Sequence, residues 1–458
     1  MSGGPSVGES SSDARTLAGA AAAPGTNPDA LLVRALGVRQ LAAVIFNYTV
    51  GSGIFALPAL AVARLGTAAP LAYLVCALLM AGVVLCFAEA GSRVAATGGP
   101  YAYVETALGP VVGFAAGMLL IFTGATAGAA VIALFARSVL AFAAHPAPAV
   151  PMVLIVGVVA ALAIVNVRGV RNSARVVELI TLAKLVPLAG FVLLGVWFVR
   201  PANLAWHGAP ELTRVLGTAG VVIFAFSGIE SALAPSGEVR APSRTVPLAA
   251  FIALGAATLL YLAIQWVALG LLGLRLATND TTPLADAAAV FAGALGRAVL
   301  IAGASVSMLG FISGNLLAVP RALFALARDG FLPRALSAVH PRHRTPHRAI
   351  TLYAVIVVGL ALSGTFEHLA IFANLTAFVL YMLCAIAVCV LRRRDVRSVG
   401  RPFVIPGGML VPALTCVLNA GLIYATAGRA DALGLATMLV LALAVYLIRR
   451  ERGQVQRG

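Results

Sequence analysis

Runs of eighteen or more apolar residues recur along the whole of this chain, and that feature decides its fold class. The hydrocarbon core of a bilayer is about 30 Å thick, so a spanning helix needs about 20 apolar residues. Backbone N–H and C=O groups find no water there, and only helices or closed barrels satisfy them internally. Twelve helical spans are legible: 38–62, 69–94, 110–143, 149–166, 173–199, 213–236, 246–273, 284–312 with a helical tail to about 328, 349–365, 368–391, 408–427 and 431–448. The sequence therefore predicts an all-α polytopic membrane protein of about twelve transmembrane helices.

Composition agrees, with 61% hydrophobic and only 10% charged residues. The net charge of +16 is not a nucleic-acid footprint, because the basic residues are spread over short loops. With the N-terminus inside, 24 of the 32 basic residues fall in inward segments and seven in outward ones. That asymmetry is the positive-inside pattern, and it places both termini in the cytoplasm. The chain is rich in Arg and Ala and nearly free of Lys, which suggests a GC-rich genome and hence a bacterial inner (plasma) membrane. Residues 1–30, rich in Ser, Gly, Ala and Pro, read as a disordered tail. No basic region precedes the Ala run at 18–23, so this tail does not read as a signal peptide. The cysteines all fall in apolar spans without metal-ligand spacing, so neither a metal nor a cofactor is expected.

One residue violates the apolar pattern sharply. Lys184 is the only lysine in the chain, and it lies in the middle of the fifth span. At ~1.5 Å per residue it sits roughly 16 Å beyond Ser173, near mid-bilayer. An ammonium there costs about 2.5–3.5 kcal/mol on insertion scales, so an intramembrane charge is read first as a functional site. Snorkelling to one face is the alternative, and central placement argues against it.

Two spans are interrupted by glycine. The first contains Gly51-Ser52-Gly53, and the sixth contains Ser227-Gly228-Ile229-Glu230. Glycine in a helix interior costs about 1 kcal/mol relative to alanine, which makes both places candidate unwinding points. Close helix packing is the competing reading for either motif alone. The two breaks correspond if spans 1–5 and 6–10 are repeats. Five is odd, so such repeats are inverted in the membrane, and paired broken helices then point to a transport site. A half-helix starting after Gly53 would present free N–H groups to an anion. Half-helices ending before Gly51 and Gly228 would present free carbonyls to a cation. A zwitterion satisfies both, which favours an amino acid.

Five segments, in order, resemble the amino acid–polyamine–organocation superfamily of permeases. They are Gly51-Ser52-Gly53-Ile54-Phe55; Phe87-Ala88-Glu89-Ala90-Gly91-Ser92-Arg93 with Thr97-Gly98-Gly99-Pro100-Tyr101; Phe226-Ser227-Gly228-Ile229-Glu230 with Gly237-Glu238-Val239-Arg240; Arg321 to Pro333; and His340-Pro341 with Thr345-Pro346. The resemblance implies a leucine-transporter-like 5+5 inverted repeat plus two peripheral helices. The first repeat would cover 31–200, the second 201–395, and the peripheral spans with a short tail 396–458. It also implies alternating access and a role in proton coupling for a fifth-span lysine, the position that Lys184 matches.

On this reading Ser52, Gly53 and Ile54 bind a substrate carboxylate, with the Ser52 hydroxyl assisting. Val50, Phe226 and Ser227 offer carbonyls to its ammonium, and Gly51, Phe224, Gly228 and Ile229 are expected with them among the substrate-binding residues. Phe224 and Phe226 are candidate lids. Lys184 replaces a coupling cation and carries the proton, with Glu230 as the other candidate. Glu89 and Glu105 are expected to pair with loop arginines, and Glu178 and Asp286 to be structural. The expected partners are a small amino acid, a proton and the lipid bilayer, with no nucleic acid. An enzyme is not expected: there is no His-Glu-x-x-His, and the histidines lie in loops. Uptake by proton symport is the leading reading, an amino acid or polyamine exchanger the other. Oligomeric state stays open.

Overall fold

The computed structural model describes residues 37–451 apart from 95–97, 141–146, 148, 169–172, 207, 234–238, 279–281, 344 and 398–399. Within helices, the side chains of 173–182 and 450–451 also lie outside the description. The expected tail at 1–30, Thr97, the Gly237-Glu238 pair and the Glu178 side chain therefore fall outside the described residues.

The first broken span is α1 (Val38–Thr49) and α2 (Gly53–Leu65). Then come α3 (Ala69–Arg93), the short α4 (Pro100–Leu108), α5 (Pro110–Leu140), α6 (Ala149–Arg168) and α7 (Ser173–Gly195). The sixth span is α8 (Leu212–Val222), a 3₁₀ turn (Ile223–Phe226) and the single turn α9 (Ile229–Ala232). The remainder is α10 (Pro242–Leu272), α11 (Pro283–Arg328), α12 (His347–Ser363), α13 (Phe366–Arg393), α14 (Leu410–Thr426) and α15 (Arg429–Glu451). Within the described residues each expected span meets one or more of these helices, and no strand forms among them.

α11 runs 46 residues, or about 69 Å of helix, more than twice a hydrocarbon core. Its continuity is broken at Gly293, where φ 57 and ψ −145 are open only to glycine at low cost. A short arm before Gly293 is thus set off from the long spanning part.

The helices fall into layers by how much of their surface the protein itself covers. In the most apolar stretch of α5, 83% of residues are buried in the protein, so α5 is the central helix. The corresponding share is 22% for α6 and 17% for α15, which lie at the periphery. α13 and α11 pack on α5, α10 packs on α3 and α1, and α7 packs on α11. Peripheral helices leave large apolar side chains such as Leu193, Val417 and Val440 uncovered. That would be a liability in water, and it suits a helix face turned to lipid.

One charged cluster ties the framework together. Glu89 is fully buried near the Arg93 end of α3. Its carboxylate accepts from Arg93 (Nη2 at 2.9 Å), from Arg392 of α13 (Nε at 3.0 Å, with Nη2 also bonded) and from the Ile405 backbone N–H at 2.9 Å. Arg93 also donates to the Val396 carbonyl, and the Phe403 N–H donates to Ser92. The pairing expected of Glu89 with arginines is therefore found, and it also pins the connection between α13 and α14. Glu105 shares Tyr101 with Asp329, which is paired to Arg328. Asp286 is paired with the half-exposed Arg297 at 2.9 Å.

Removing one partner from a buried ion cluster leaves uncompensated charge, which costs about 3–5 kcal/mol. Glu89→Ala is expected to lower the thermal transition of the detergent-purified protein markedly, and Asp286→Ala to leave it nearly unchanged. Static light scattering during a heating ramp reads both.

Candidate transport site

α1 stops because its backbone leaves the helical region at Val50 (φ −80, ψ 75). A helix end in a dry interior must find donors for its last carbonyls. Lys184 supplies them from α7: Nζ donates to the Asn47 and Val50 carbonyls, both at 2.7 Å. The side chain is completely buried. A cation at a helix C-terminus also meets the negative end of the peptide dipoles. Ser307 of α11 adds its hydroxyl at 3.3 Å from the Val50 carbonyl and 3.1 Å from that of Gly51.

The second break is satisfied locally. After the 3₁₀ turn the chain extends at Ser227 and turns through Gly228 at φ 122. Both carboxylate oxygens of Glu230 accept from the Gly228 N–H at 3.1 Å. The Tyr381 hydroxyl of α13 donates to Glu230 at 3.0 Å. Glu230 is buried.

The two breaks are in backbone contact. A Cβ on Gly53 would stand 2.8 Å from the Ala225 Cα. A Cβ on Gly228 would stand 3.0 Å from the Tyr48 carbonyl carbon and oxygen. Tyr261 of α10 bridges them, its hydroxyl 2.8 Å from both the Thr49 and the Ala225 carbonyls.

Beside this junction lies a small cavity, with about 30 Å³ of room for the centre of a water molecule. Its walls include Gly51, Ser52, Gly53, Phe224, Ser227, Gly228 and Glu230, all singled out in the sequence. Val50, Ile54, Phe226, Ile229 and Lys184 do not line it. Two expectations are corrected by this geometry, and a third residue gains a further role. The Val50 carbonyl is not open to a ligand's ammonium, since Lys184 and Ser307 occupy it. Phe226 is not a lid: its ring packs edge-on against Tyr261, 5.1 Å between centroids. A 3₁₀ turn has three residues per turn, so Phe224 and Phe226 point to different sides, and only Phe224 reaches the wall. Gly53 is needed for contact with Ala225, in addition to any approach by a ligand.

Tyr48, Thr49, Thr123, Gly124, Ala127, Val131, Ser231, Phe311, Asn315 and Ala373 complete the wall and were not foreseen. Thr123 and Asn315 were findable, since polar side chains inside apolar spans mark function by default. Ser52 is buried, lines the cavity, and its Oγ has no hydrogen-bond partner among the described residues. No cluster of His, Cys, Asp or Glu among the described residues suits a metal ion.

Two broken helices lining a small cavity inside an all-α bundle fit a membrane transporter. The match of residues 36–448 to the amino acid permease family makes the assignment specific, and this chain belongs to that family. It is 31% identical over 426 residues to an uncharacterised transporter of Mycobacterium tuberculosis, covering 92% of each chain. It is 27% identical to the methylthioribose transporter of Bacillus subtilis, over 87% of this chain and 89% of that one. It is also 27% identical to the serine/threonine exchanger of Bacillus subtilis, over 79% and 84% respectively. All are transporters and none is an enzyme.

The close approach at Gly53 makes a sharp prediction. Gly53→Val puts a branched side chain against the Ala225 backbone, so the breaks must part. Transport is expected to fall to background, with a lowered thermal transition, whereas Gly255→Val, where an added Cβ meets nothing, should leave both intact. Proteoliposome uptake and a thermal ramp on the two variants check this.

Proposed function

We propose that this permease takes up an amino acid by alternating access, coupled to the inward movement of a proton carried by Lys184. The single observation that carries the reading is the unpartnered, buried Ser52 hydroxyl lining the cavity where α2 begins. A hydroxyl left empty in a dry site costs free energy unless a ligand fills it. The N-terminus of α2 favours an anion there, which fits a substrate carboxylate held by Ser52 and Gly53. Ser227, which lines the cavity at the other break, offers a carbonyl suited to its ammonium.

Residues 31–200 and 201–395 are read as the inverted repeats, with 396–458 peripheral and both termini cytoplasmic in a bacterial inner membrane. Lys184 stands where a coupling cation would bridge α1 to α7. Its ammonium holds the first break in one arrangement, and release of the proton weakens that hold. The two access states then differ in proton affinity, which coupling requires. Glu230 is the second candidate for the proton. Obligatory exchange is the other reading, and the exchanger among the relatives favours it.

The experiment compares the wild type, Lys184→Ala and Lys184→Arg in proteoliposomes under imposed pH gradients, with a mixture of labelled amino acids as the probe. The wild type is expected to accumulate label when the outside is acid. Both variants should lose at least roughly tenfold of that gradient-driven uptake, arginine failing because it keeps its proton. Accumulation by Lys184→Ala would move the coupling to Glu230. A wild type that ignores the gradient but exchanges label with internal amino acid would establish the exchanger.

A second measurement addresses the coupling ion. Initial uptake rates in sodium and choline buffers at one pH are expected to agree within about twofold, since a buried ammonium disfavours a second cation at its side. A steep sodium dependence would recast Lys184 as a structural cap.

A further inference from the structure

The part of the cavity wall that α5 and α11 supply has a hydrogen-bonding polarity that follows from proton counting. Thr376 of α13 lies 3.1 Å from the Phe372 carbonyl and 2.9 Å from that of Ala373, so its one hydroxyl proton points to its own helix. Thr376 can then only accept from Thr123, whose Oγ1 lies 2.9 Å away. The Thr123 proton is thereby committed. Towards the cavity that it lines, Thr123 offers lone pairs alone.

The neighbouring Asn315 is oriented by the same logic. The Gly124 carbonyl can only accept, so the Asn315 Nδ2 must face it, at 3.1 Å. Oδ1 then faces the fully buried Tyr353 hydroxyl of α12, which donates to it at 2.7 Å. This leaves Nδ2 a second proton on a side chain that also lines the cavity. Thr123 and Gly124 are consecutive, so an acceptor and a donor stand side by side in one wall.

A hydroxyl is the smallest side-chain group that gives a proton to one neighbour and accepts one from another, smaller than a carboxamide, which does the same. Among the described residues no arginine or lysine lines the cavity, and the one carboxylate that does, Glu230, is already bonded to Gly228 and Tyr381. The cavity is also small, with Val131 and Phe311 among its walls. We infer that the substrate is a small neutral amino acid bearing a side-chain hydroxyl, read by Thr123 and Asn315, with Tyr353 as a positioning residue that fixes the Asn315 amide. This inference rests on the amino acid reading above and narrows it.

The test uses purified full-length protein and isosteric ligand pairs, L-threonine with L-valine and L-serine with L-alanine, titrated in a thermal-shift assay. A site built around a hydroxyl leaves its polar groups unpaired when the isostere binds, so discrimination is large. L-threonine should protect at concentrations at least roughly tenfold lower than L-valine, and L-serine lower than L-alanine. Thr123→Val and Asn315→Leu should bring the threonine-to-valine ratio to within about twofold. Tyr353→Phe, outside the cavity wall, should lower the ratio by freeing the amide to turn, a change that a purely structural defect would not produce. Should either wall variant fail to fold, Tyr353→Phe and the wild-type ratio still decide the matter. Equal protection by threonine and valine in the wild type overturns the inference while leaving an amino acid transporter in place. Wild-type ratios retained in all three variants overturn the assignment of these residues. Protection by none of the four, with protection by another solute such as a thiosugar, overturns the amino acid reading itself and this inference with it.

Discussion

The ammonium of Lys184 on the Asn47 and Val50 carbonyls is the interaction on which the centre of this molecule depends. A helix cannot stop at mid-membrane without leaving carbonyls bare, and bare carbonyls in hydrocarbon cost several kcal/mol each. The chain solves this with a donor from a distant span. Charge assistance makes such bonds short and about twice as strong as neutral ones. The break at residues 50–52 can then exist, α2 can start afresh at Gly53, and its first turn can open onto the cavity. The cost of burying the ammonium is offset where the peptide dipoles are already negative.

The two breaks are satisfied in different ways, and the difference matters to mechanism. At the second, Glu230 reaches back only two residues to the Gly228 N–H, so the bond travels with the break. At the first, the donor belongs to α7, so the bond joins two elements that can separate. Contacts within the junction are of a third kind. Gly53 against Ala225, Gly228 against Tyr48 and the Tyr261 hydroxyl between both carbonyls bind the breaks to each other. The arrangement is two breaks held as one body, with Lys184 as a cationic link from that body to α7.

Much of this was legible in the sequence, for physical reasons that differ by feature. The spans were legible because lipid demands long apolar runs, and within the described residues each of the twelve meets one or more helices. The breaks were legible because Gly51, Gly53 and Gly228 are costly in a helix that has no water to lean on. Lys184 was legible because a lone charge at mid-span has few uses. The division of labour around the cavity was not. Val50 and Phe226 sit at the breaks, yet one has its carbonyl taken and the other turns its ring to Tyr261. Those outcomes depend on what α7 and α10 bring from far along the chain, and no local pattern encodes it. Tyr261, Tyr353 and Tyr381 look in the sequence like ordinary aromatic filling. Only the packed structure aims each hydroxyl at a carbonyl, an amide or a carboxylate.

The strength of the central link, more than its presence, is what a proton can change. A protonated Lys184 has three N–H donors and directs two bonds at carbonyls. A neutral amine keeps two donors, enough to address both carbonyls still. What it loses is charge, and with it the shortening and strength that charge assistance gives and the attraction to the helix dipole. Deprotonation would therefore loosen the first break from α7 without leaving its carbonyls bare. The coupling proposed for Lys184 needs that property, because a bond that vanished outright would expose polar backbone in a dry core. An arginine could never be loosened in this way, and a neutral asparagine could never be tightened. Among the side chains that can reach two carbonyls at once, lysine has a proton it can lose and donors to spare afterwards.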